Sequence, residues 1–177
     1  MELKHRLEEC VVTTNRGDRF DMQFGVETDL KDECSAFTFE DLDPIINFSC
    51  LDCKEKLQID DFPSFAPRLG IVPFEVVPEK FIEFVKFIAS KLAYEIVYID
   101  ENFRCAIASK KHVLFHEKNY IPNVYYTKCP HCGSQYLMFY SFSGGGQDRC
   151  PVTLTIDSIW QVHLDEAFAQ KYLTVER

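Results

Sequence analysis

Cys50-Leu51-Asp52-Cys53 and Cys129-Pro130-His131-Cys132-Gly133 are the two stretches that decide the fold of this 177-residue chain. In each stretch two residues separate a pair of cysteines, and seventy-five residues lie between the two pairs. Two Cys-x-x-Cys pairs together supply the four thiolate ligands of a closed tetrahedral zinc site. The sequence therefore predicts one structural Zn²⁺ held by Cys50, Cys53, Cys129 and Cys132.

The second pair has the better turn chemistry. Pro130 presets one turn dihedral, and Gly133 permits the left-handed conformation that often follows the second ligand. Leu51 and Lys54 occupy the matching positions of the first pair, which has neither aid. Two alternatives therefore stay open. Either the first pair consists of buried thiols with a coincidental spacing, or the second pair completes its site with Cys105, Cys150 or a histidine.

Both pairs lie between segments that favour β-structure. Ile45 to Phe48 leads into the first pair and Lys56 to Ile59 leads out, and the segments 124–127 and 135–142 flank the second pair in the same way. These hairpins, at about 45–59 and 124–142, resemble the knuckles of zinc ribbons, in which paired hairpin tips clamp one metal. The resemblance covers only these two blocks, and it implies an architecture without implying an activity.

The rest of the chain predicts an α+β fold. Apolar residues recur at helical spacing after Pro78 and predict a long amphipathic helix at about 79–94: Phe81, Phe84, Val85, Ile88 and Leu92. A C-terminal helix is expected at Leu164 to Leu173. We expect the strands to form an antiparallel sheet. Residues 1–177 should form a single zinc-stabilised domain, in which the helix and strands of 78–116 are inserted between the two hairpins.

Further strands follow from alternation and from turn residues. An N-terminal hairpin is predicted from 7–14 and 20–26, and Asp61 to Pro73 reads as a connection. The other predicted strands are 36–39, 96–99, 103–108, 113–115 and a run containing Val152, Leu154 and Ile156.

The tetrapeptide Cys129-Pro130-His131-Cys132 also resembles the redox pair of thioredoxin-fold thiol oxidants. Those enzymes place the pair at a helix N-terminus, which lowers the pKa of the first thiol. Here the residues that follow, 134–140, are β-prone, which favours the metal interpretation.

No other catalytic or cofactor-binding set is predicted. His112 and His116 lack the glutamate of a His-Glu-x-x-His motif, and the loop 143–148 lacks the lysine of a phosphate loop. The remaining cysteines are expected to be unliganded: Cys10, Cys34, Cys105 and Cys150.

The charge of the chain is uneven. The formal net charge is −9, and between Glu27 and Asp61 eleven acids against three bases give −8. This acidic segment is either a solvated face that maintains solubility or a docking surface for a basic protein. In size, charge and lack of catalytic residues the chain is similar to the immunity proteins of bacterial toxin systems. The likeness implies a non-enzymatic inhibitor of a basic partner.

The sequence bears on two other classes of function. Many zinc ribbons serve transcription or RNA machinery, but the only short basic cluster is Lys110-Lys111-His112 and the pI is about 5.0, which disfavours direct nucleic-acid binding. A catalytic zinc needs an open coordination position, which four cysteines would close.

The sequence also favours a cytosolic location and no membrane segment. Met1 to Cys10 is charged, and the most apolar stretch, Phe81 to Ile99, contains four charged residues: Glu83, Lys86, Lys91 and Glu95. In a reducing compartment eight cysteines serve as ligands and buried thiols more readily than as disulfides.

Overall fold

The computed structural model describes residues 1–14, 17–29, 44–59, 70–72, 74–76, 78–99, 105–108, 123–143 and 153–175. Within these ranges the fold is mixed and mostly β. The strands are β1 (Glu2–Arg6), β2 (Cys10–Thr14), β3 (Arg19–Met22), β4 (Glu27–Asp29), β5 (Pro44–Ser49), β6 (Lys56–Ile59), β7 (Gly70–Val72), β8 (Phe74–Val76), β9 (Glu95–Ile99), β10 (Cys105–Ala108), β11 (Asn123–Lys128), β12 (Gln135–Ser143), β13 (Thr153–His163) and β14 (Leu173–Val175). The helices are α1 (Phe81–Leu92), which follows a 3-10 turn at Pro78–Lys80, and α2 (Glu166–Tyr172).

Two sheets carry most of the described strands. The large sheet has the order β1-β13-β12-β11-β7-β8-β14, with β4 also paired to β13, and the small sheet has the order β3-β2-β5-β6. β9 and β10 form a separate antiparallel pair. Neighbouring strands are antiparallel except β7 and β11, where Val124 lies opposite Ile71 in a parallel pair.

Strand β12 shows how the layers pack. Successive side chains of a strand point to opposite faces. Leu137 and Phe139 join the core beneath α1 and α2, whereas Tyr136, Met138 and Tyr140 join the core shared with the small sheet. The large sheet is therefore the middle of three layers, with the helices on one face and the small sheet on the other.

A β-bulge in β13 keeps this arrangement in register. Phe139 lies opposite Ser158 and Tyr140 lies opposite Ile156, so Asp157 is the extra residue. The bulge leaves Ile156 and Ile159 in the core shared with the small sheet. The buried Asp157 carboxylate accepts hydrogen bonds from the hydroxyls of Ser158 (2.8 Å) and Tyr94. The same bulge determines which face of the sheet carries Gln161, four residues later. On that face the Gln161 side chain contacts Asp52, which lies between Cys50 and Cys53.

The prediction of an α+β fold with two helices is confirmed. Phe84, Val85 and Ile88 are buried as the helical spacing requires, and α2 lies within the predicted C-terminal helix. Both hairpins that flank the cysteine pairs form, as does the N-terminal hairpin of β2 and β3.

Other expectations are corrected. The large sheet is not wholly antiparallel, because β7 pairs in parallel with β11 inside a stretch predicted to be a connection. The strand expected around Leu154 continues to His163, because the bulge at Asp157 keeps the later residues of β13 paired with β12. The strands predicted at 36–39 and 113–115 lie outside the described residues.

Replacing Leu137 tests the core beneath the helices. Leu137 is completely buried, so Leu137→Ala removes a side chain from a packed site and is expected to lower the free energy of unfolding by about 2 to 5 kcal/mol. Val97 is 61% exposed, and the control Val97→Ala should change that free energy by less than about 0.5 kcal/mol. Urea unfolding followed by circular dichroism measures both values. Equal effects of the two substitutions would contradict the three-layer arrangement.

Candidate metal centre

Each cysteine pair forms the turn of a β-hairpin, the first between β5 and β6 and the second between β11 and β12. We call these the first turn (Cys50–Cys53) and the second turn (Cys129–Cys132). Their backbones close alike. In the first turn the N–H of Cys50 donates to Glu55 O (2.8 Å), and the N–H of Lys54 donates to Cys50 O (3.0 Å). In the second turn the corresponding bonds are Cys129 N to Ser134 O (2.8 Å) and Gly133 N to Cys129 O (2.9 Å).

The residue after each turn is left-handed. Gly133 has φ +77°, and Lys54, at the matching position, has φ +65°. A non-glycine residue pays about 1 to 2 kcal/mol for this conformation. The Lys54 ammonium donates to Leu51 O (2.8 Å), which fixes the side chain back on its own turn. The first turn therefore adopts the same conformation as the second, although it has neither the proline nor the glycine of the second.

The two turns bring the four cysteines together. The Sγ atoms of Cys50, Cys53, Cys129 and Cys132 all lie within 4.8 Å of one another. Across the turns, Cys50 Sγ is 3.5 Å from Cys132 Sγ, and Cys53 Sγ is 3.5 Å from Cys129 Sγ. Four sulfurs at about 2.3 Å from one tetrahedral metal would be separated by about 3.8 Å. The cluster thus has the size of a four-thiolate metal site.

Access to the cluster is one-sided. Cys50 is 0% and Cys129 2% exposed, Cys53 is half-buried, and Cys132 is exposed. Cys10, predicted to be unliganded, is buried outside the cluster, where burial raises the pKa of its thiol to about 12. The side chains of Cys34, Cys105 and Cys150 lie outside the described residues.

Tyr136 of β12 connects the large sheet to the first turn. Its hydroxyl donates to Cys50 Sγ (3.2 Å) and accepts the N–H of Leu51 (2.8 Å). Its ring meets that of Phe48 edge-on, with 5.2 Å between centroids. Burial and the bond to Cys50 raise the pKa of Tyr136, so the hydroxyl keeps its proton and remains a donor. Sequence reasoning missed this residue, although its position four residues after Cys132 puts it on the strand that leaves the second turn.

Asp52 connects the two turns. Its carboxylate accepts a hydrogen bond from the hydroxyl of Ser134, just after the second turn, and one from Gln161 Nε2 on β13 (2.7 Å). These bonds lower the pKa of Asp52. Ser134 Oγ in turn lies 3.0 Å from Cys132 Sγ. A relay of polar groups therefore runs from the large sheet through the first turn to the exposed cysteine.

The thiols differ in acidity. Burial raises the pKa of Cys50, but the N–H groups of Cys53 and Asp52 and the Tyr136 hydroxyl outweigh it and lower the pKa to about 6. For Cys53 the Glu55 N–H lowers the pKa, yet burial and the neighbouring thiols raise it to about 12. Because like charges this close oppose one another, a cation bound among the sulfurs would favour their thiolate forms.

No helix follows the second turn, as the redox interpretation of this cysteine pair would require. β12 begins at Gln135, so the second turn leads into a strand and lacks the helix N-terminus that thioredoxin-fold oxidants use. His131 is exposed at the tip of this turn, as expected for a solvent-facing residue. His112, His116, the basic cluster 110–112 and residues 144–148 lie outside the described residues.

Comparison with protein-family models, with curated proteins and with solved structures gave no significant match. Among the described residues no helix has the length and apolarity needed to cross a membrane.

Removing the Tyr136 hydroxyl tests the connection to Cys50. Tyr136→Phe keeps the ring but deletes the donor to the sulfur, and we expect metal affinity to fall roughly 10- to 100-fold with the fold retained. Titration with Co²⁺, followed by its thiolate absorption, gives the affinity. The matched control is Tyr172→Phe, whose hydroxyl lies with Glu83 and Lys171 on the helical side of the large sheet. Unchanged cobalt affinity in Tyr136→Phe would show that the bond has no influence on the site.

Proposed function

We propose that this chain is a non-enzymatic zinc protein whose acidic surface binds a basic protein partner. One Zn²⁺ held by Cys50, Cys53, Cys129 and Cys132 fastens the small sheet to the large sheet, in the manner of zinc-ribbon knuckles. The observation that supports the metal most directly is the convergence of four Sγ atoms within 4.8 Å of one another.

The ligand chemistry favours zinc in a structural role. Four thiolates in a tetrahedral set select Zn²⁺ or iron. Because Cys132 is exposed, an iron–thiolate centre would be open to water and dioxygen, whereas Zn²⁺ is redox-inert. Four sulfur ligands leave no open position for a substrate or an activated water. A cytosolic location fits this proposal, since a reducing compartment keeps the thiols available to the metal.

Metal analysis tests the proposed zinc site. The purified chain is expected to contain one zinc per molecule, and replacing any of the four cysteines by serine should abolish stoichiometric binding. Replacing the buried ligands Cys50 and Cys129 should also lower the stability most, because serine puts a polar hydroxyl without its metal partner into the apolar core. Inductively coupled plasma mass spectrometry gives the metal content. Thermal unfolding with and without a chelator gives the stability. Iron in place of zinc, or no metal, would overturn the proposal, and Cys10→Ala serves as the control.

The negative charge of the chain supports the proposed binding to a basic protein. Residues 27–61 carry −8 of the net −9, and a zinc ion with four thiolates adds about −2 in the same segment's vicinity. Such a field accelerates association with a positively charged protein and selects against acidic ones. A small, acidic protein whose metal centre is closed by four sulfurs fits the role of an immunity or inhibitor protein for a basic partner.

A second candidate is a factor attached to nucleic-acid machinery. It is favoured by the pair of cysteine-tipped hairpins, which resemble the zinc ribbons of such factors. The net negative charge opposes direct binding to phosphates, so this factor would act through protein contacts.

Charge neutralisation separates these functions. The acidic-segment variant is Asp32→Asn, Glu33→Gln, Asp41→Asn and Asp43→Asn. The matched control removes the same four charges elsewhere: Glu8→Gln, Glu9→Gln, Glu79→Gln and Glu95→Gln. Immobilised zinc-loaded protein is exposed to lysate of the source organism, and bound proteins are quantified by mass spectrometry. We expect one basic protein to be captured by the wild type and the control and lost with the acidic-segment variant.

The other outcomes count against this role. Capture that nuclease treatment abolishes supports the nucleic-acid machinery. Equal loss with both variants indicates general charge attraction, and capture of no partner overturns the binding proposal.

A further inference from the structure

We propose that Cys132 is a site of oxidation by hydroperoxides, and that its oxidation releases the metal and joins Cys132 to Cys50 in a disulfide. The inference rests on the proposed zinc site and adds a means of regulating it. It follows from how differently the four sulfurs are exposed and paired.

Exposure selects the first sulfur to react. Cys132 is the exposed member of the cluster, while Cys50 and Cys129 are buried and Cys53 is half-buried. Oxidation of cysteine follows thiolate character and accessibility. A metal-bound thiolate that faces water meets both conditions, and the other three sulfurs lie behind it.

Hydrogen bonding leaves the Cys132 sulfur reactive. Ser134 Oγ is 3.0 Å away, but a hydroxyl has a single proton, and that proton is directed to the Asp52 carboxylate. Cys132 Sγ accepts the backbone N–H of Ser134, whereas Cys50 Sγ accepts the N–H groups of Cys53 and Asp52 and also the hydroxyl proton of Tyr136 at 3.2 Å. The electron pairs of Cys132 are therefore less engaged than those of the buried sulfur behind it.

Geometry selects the second sulfur. Cys50 Sγ lies 3.5 Å from Cys132 Sγ, and a disulfide bond is about 2.05 Å long, so the two must approach by about 1.5 Å. Cys132 is on an exposed turn, which can supply the movement. The close pairs run across the two turns, since Cys53 and Cys129 are also 3.5 Å apart.

The chemistry balances with one molecule of hydrogen peroxide, the simplest hydroperoxide, as the oxidant. The Cys132 thiolate attacks one peroxide oxygen, the O–O bond breaks, and hydroxide leaves, which gives a sulfenic acid. The Cys50 thiolate then attacks the Cys132 sulfur, the S–S bond forms, the S–O bond breaks, and a second hydroxide leaves. Two thiolates lose two electrons and the peroxide gains them, while solvent protons neutralise the hydroxides. The zinc ion keeps its oxidation state and dissociates, because it retains only two of its four ligands.

The product keeps the two layers joined. A disulfide from Cys50 to Cys132 connects the β5–β6 turn to the β11–β12 turn, which is the connection the metal makes. Oxidation therefore exchanges one link between the sheets for another, and reduction in the presence of zinc restores the first.

The test uses zinc-loaded protein and hydrogen peroxide with a chromogenic zinc chelator. We expect bound zinc to fall from one per chain to none with peroxide, and to stay bound with the chelator alone. Dimedone should label Cys132, and a non-reduced digest should contain a Cys50–Cys132 peptide. Cys10→Ala, which alters a buried cysteine outside the cluster, should release zinc at the wild-type rate.

Opposite results are equally specific. Retention of zinc in peroxide, dimedone on another cysteine, or disulfides within the turns (Cys50–Cys53 or Cys129–Cys132) would each overturn the inference. Protein that is isolated without metal refutes the proposed zinc function, whereas zinc that is present but resists peroxide refutes only this inference. Because Cys132→Ser is expected to lose zinc, the trapping data on the wild-type protein decide the question.

Discussion

The contact between two hairpin turns on different sheets is the constraint on which the fold depends. The first turn belongs to the small sheet and the second to the large sheet, and seventy-five residues of chain separate them. Closing so long a segment costs conformational entropy before any contact compensates for it. Four sulfurs within 4.8 Å provide a single place where one ion could secure that closure. The free energy of metal binding at such a point would add to the free energy of folding, because the unfolded chain has no preformed site.

The cluster is also part of the apolar core. Cys50 and Cys129 belong to the same buried group as Tyr136, Met138 and the inner residues of the small sheet. Tyr136 is both a packing residue and the hydrogen-bond donor to Cys50. The large sheet therefore positions the first turn directly, through a hydroxyl, as well as indirectly, through the second turn. Asp52 makes a second connection at the surface, because its carboxylate accepts hydrogen bonds from Gln161 of the large sheet and from Ser134.

Local patterns in the sequence were sufficient for the cysteines, their flanking hairpins and the buried stripe of α1. Each of these is set by short-range periodicity or by a turn motif. What escaped prediction depends on contacts between distant segments. The parallel pairing of β7 has no local signature, and the bulge at Asp157 is defined only by its partner strand. Tyr136 and Gln161 contact the first turn because that turn lies on the face of the large sheet to which their side chains point.

Lys54 shows the limit of turn chemistry most clearly. A lysine after the second cysteine argues against a left-handed residue, yet the hairpin adopts φ +65° there. The closing bonds of the turn and the Lys54 ammonium on Leu51 O offset the local cost. Residue preference at one position is thus weaker here than the hydrogen bonds that close the turn.

Charge around the cluster bears on which oxidants could reach it. The Asp52 carboxylate is linked to Cys132 through the Ser134 hydroxyl, and its hydrogen bonds lower its pKa, which favours the charged form. Like charges repel within a Debye length of about 8 Å at physiological salt. An anionic disulfide would be disfavoured at this corner, whereas a small neutral peroxide meets no such barrier. The Asp52 carboxylate would therefore oppose exchange of the exposed thiolate with anionic thiols and disulfides.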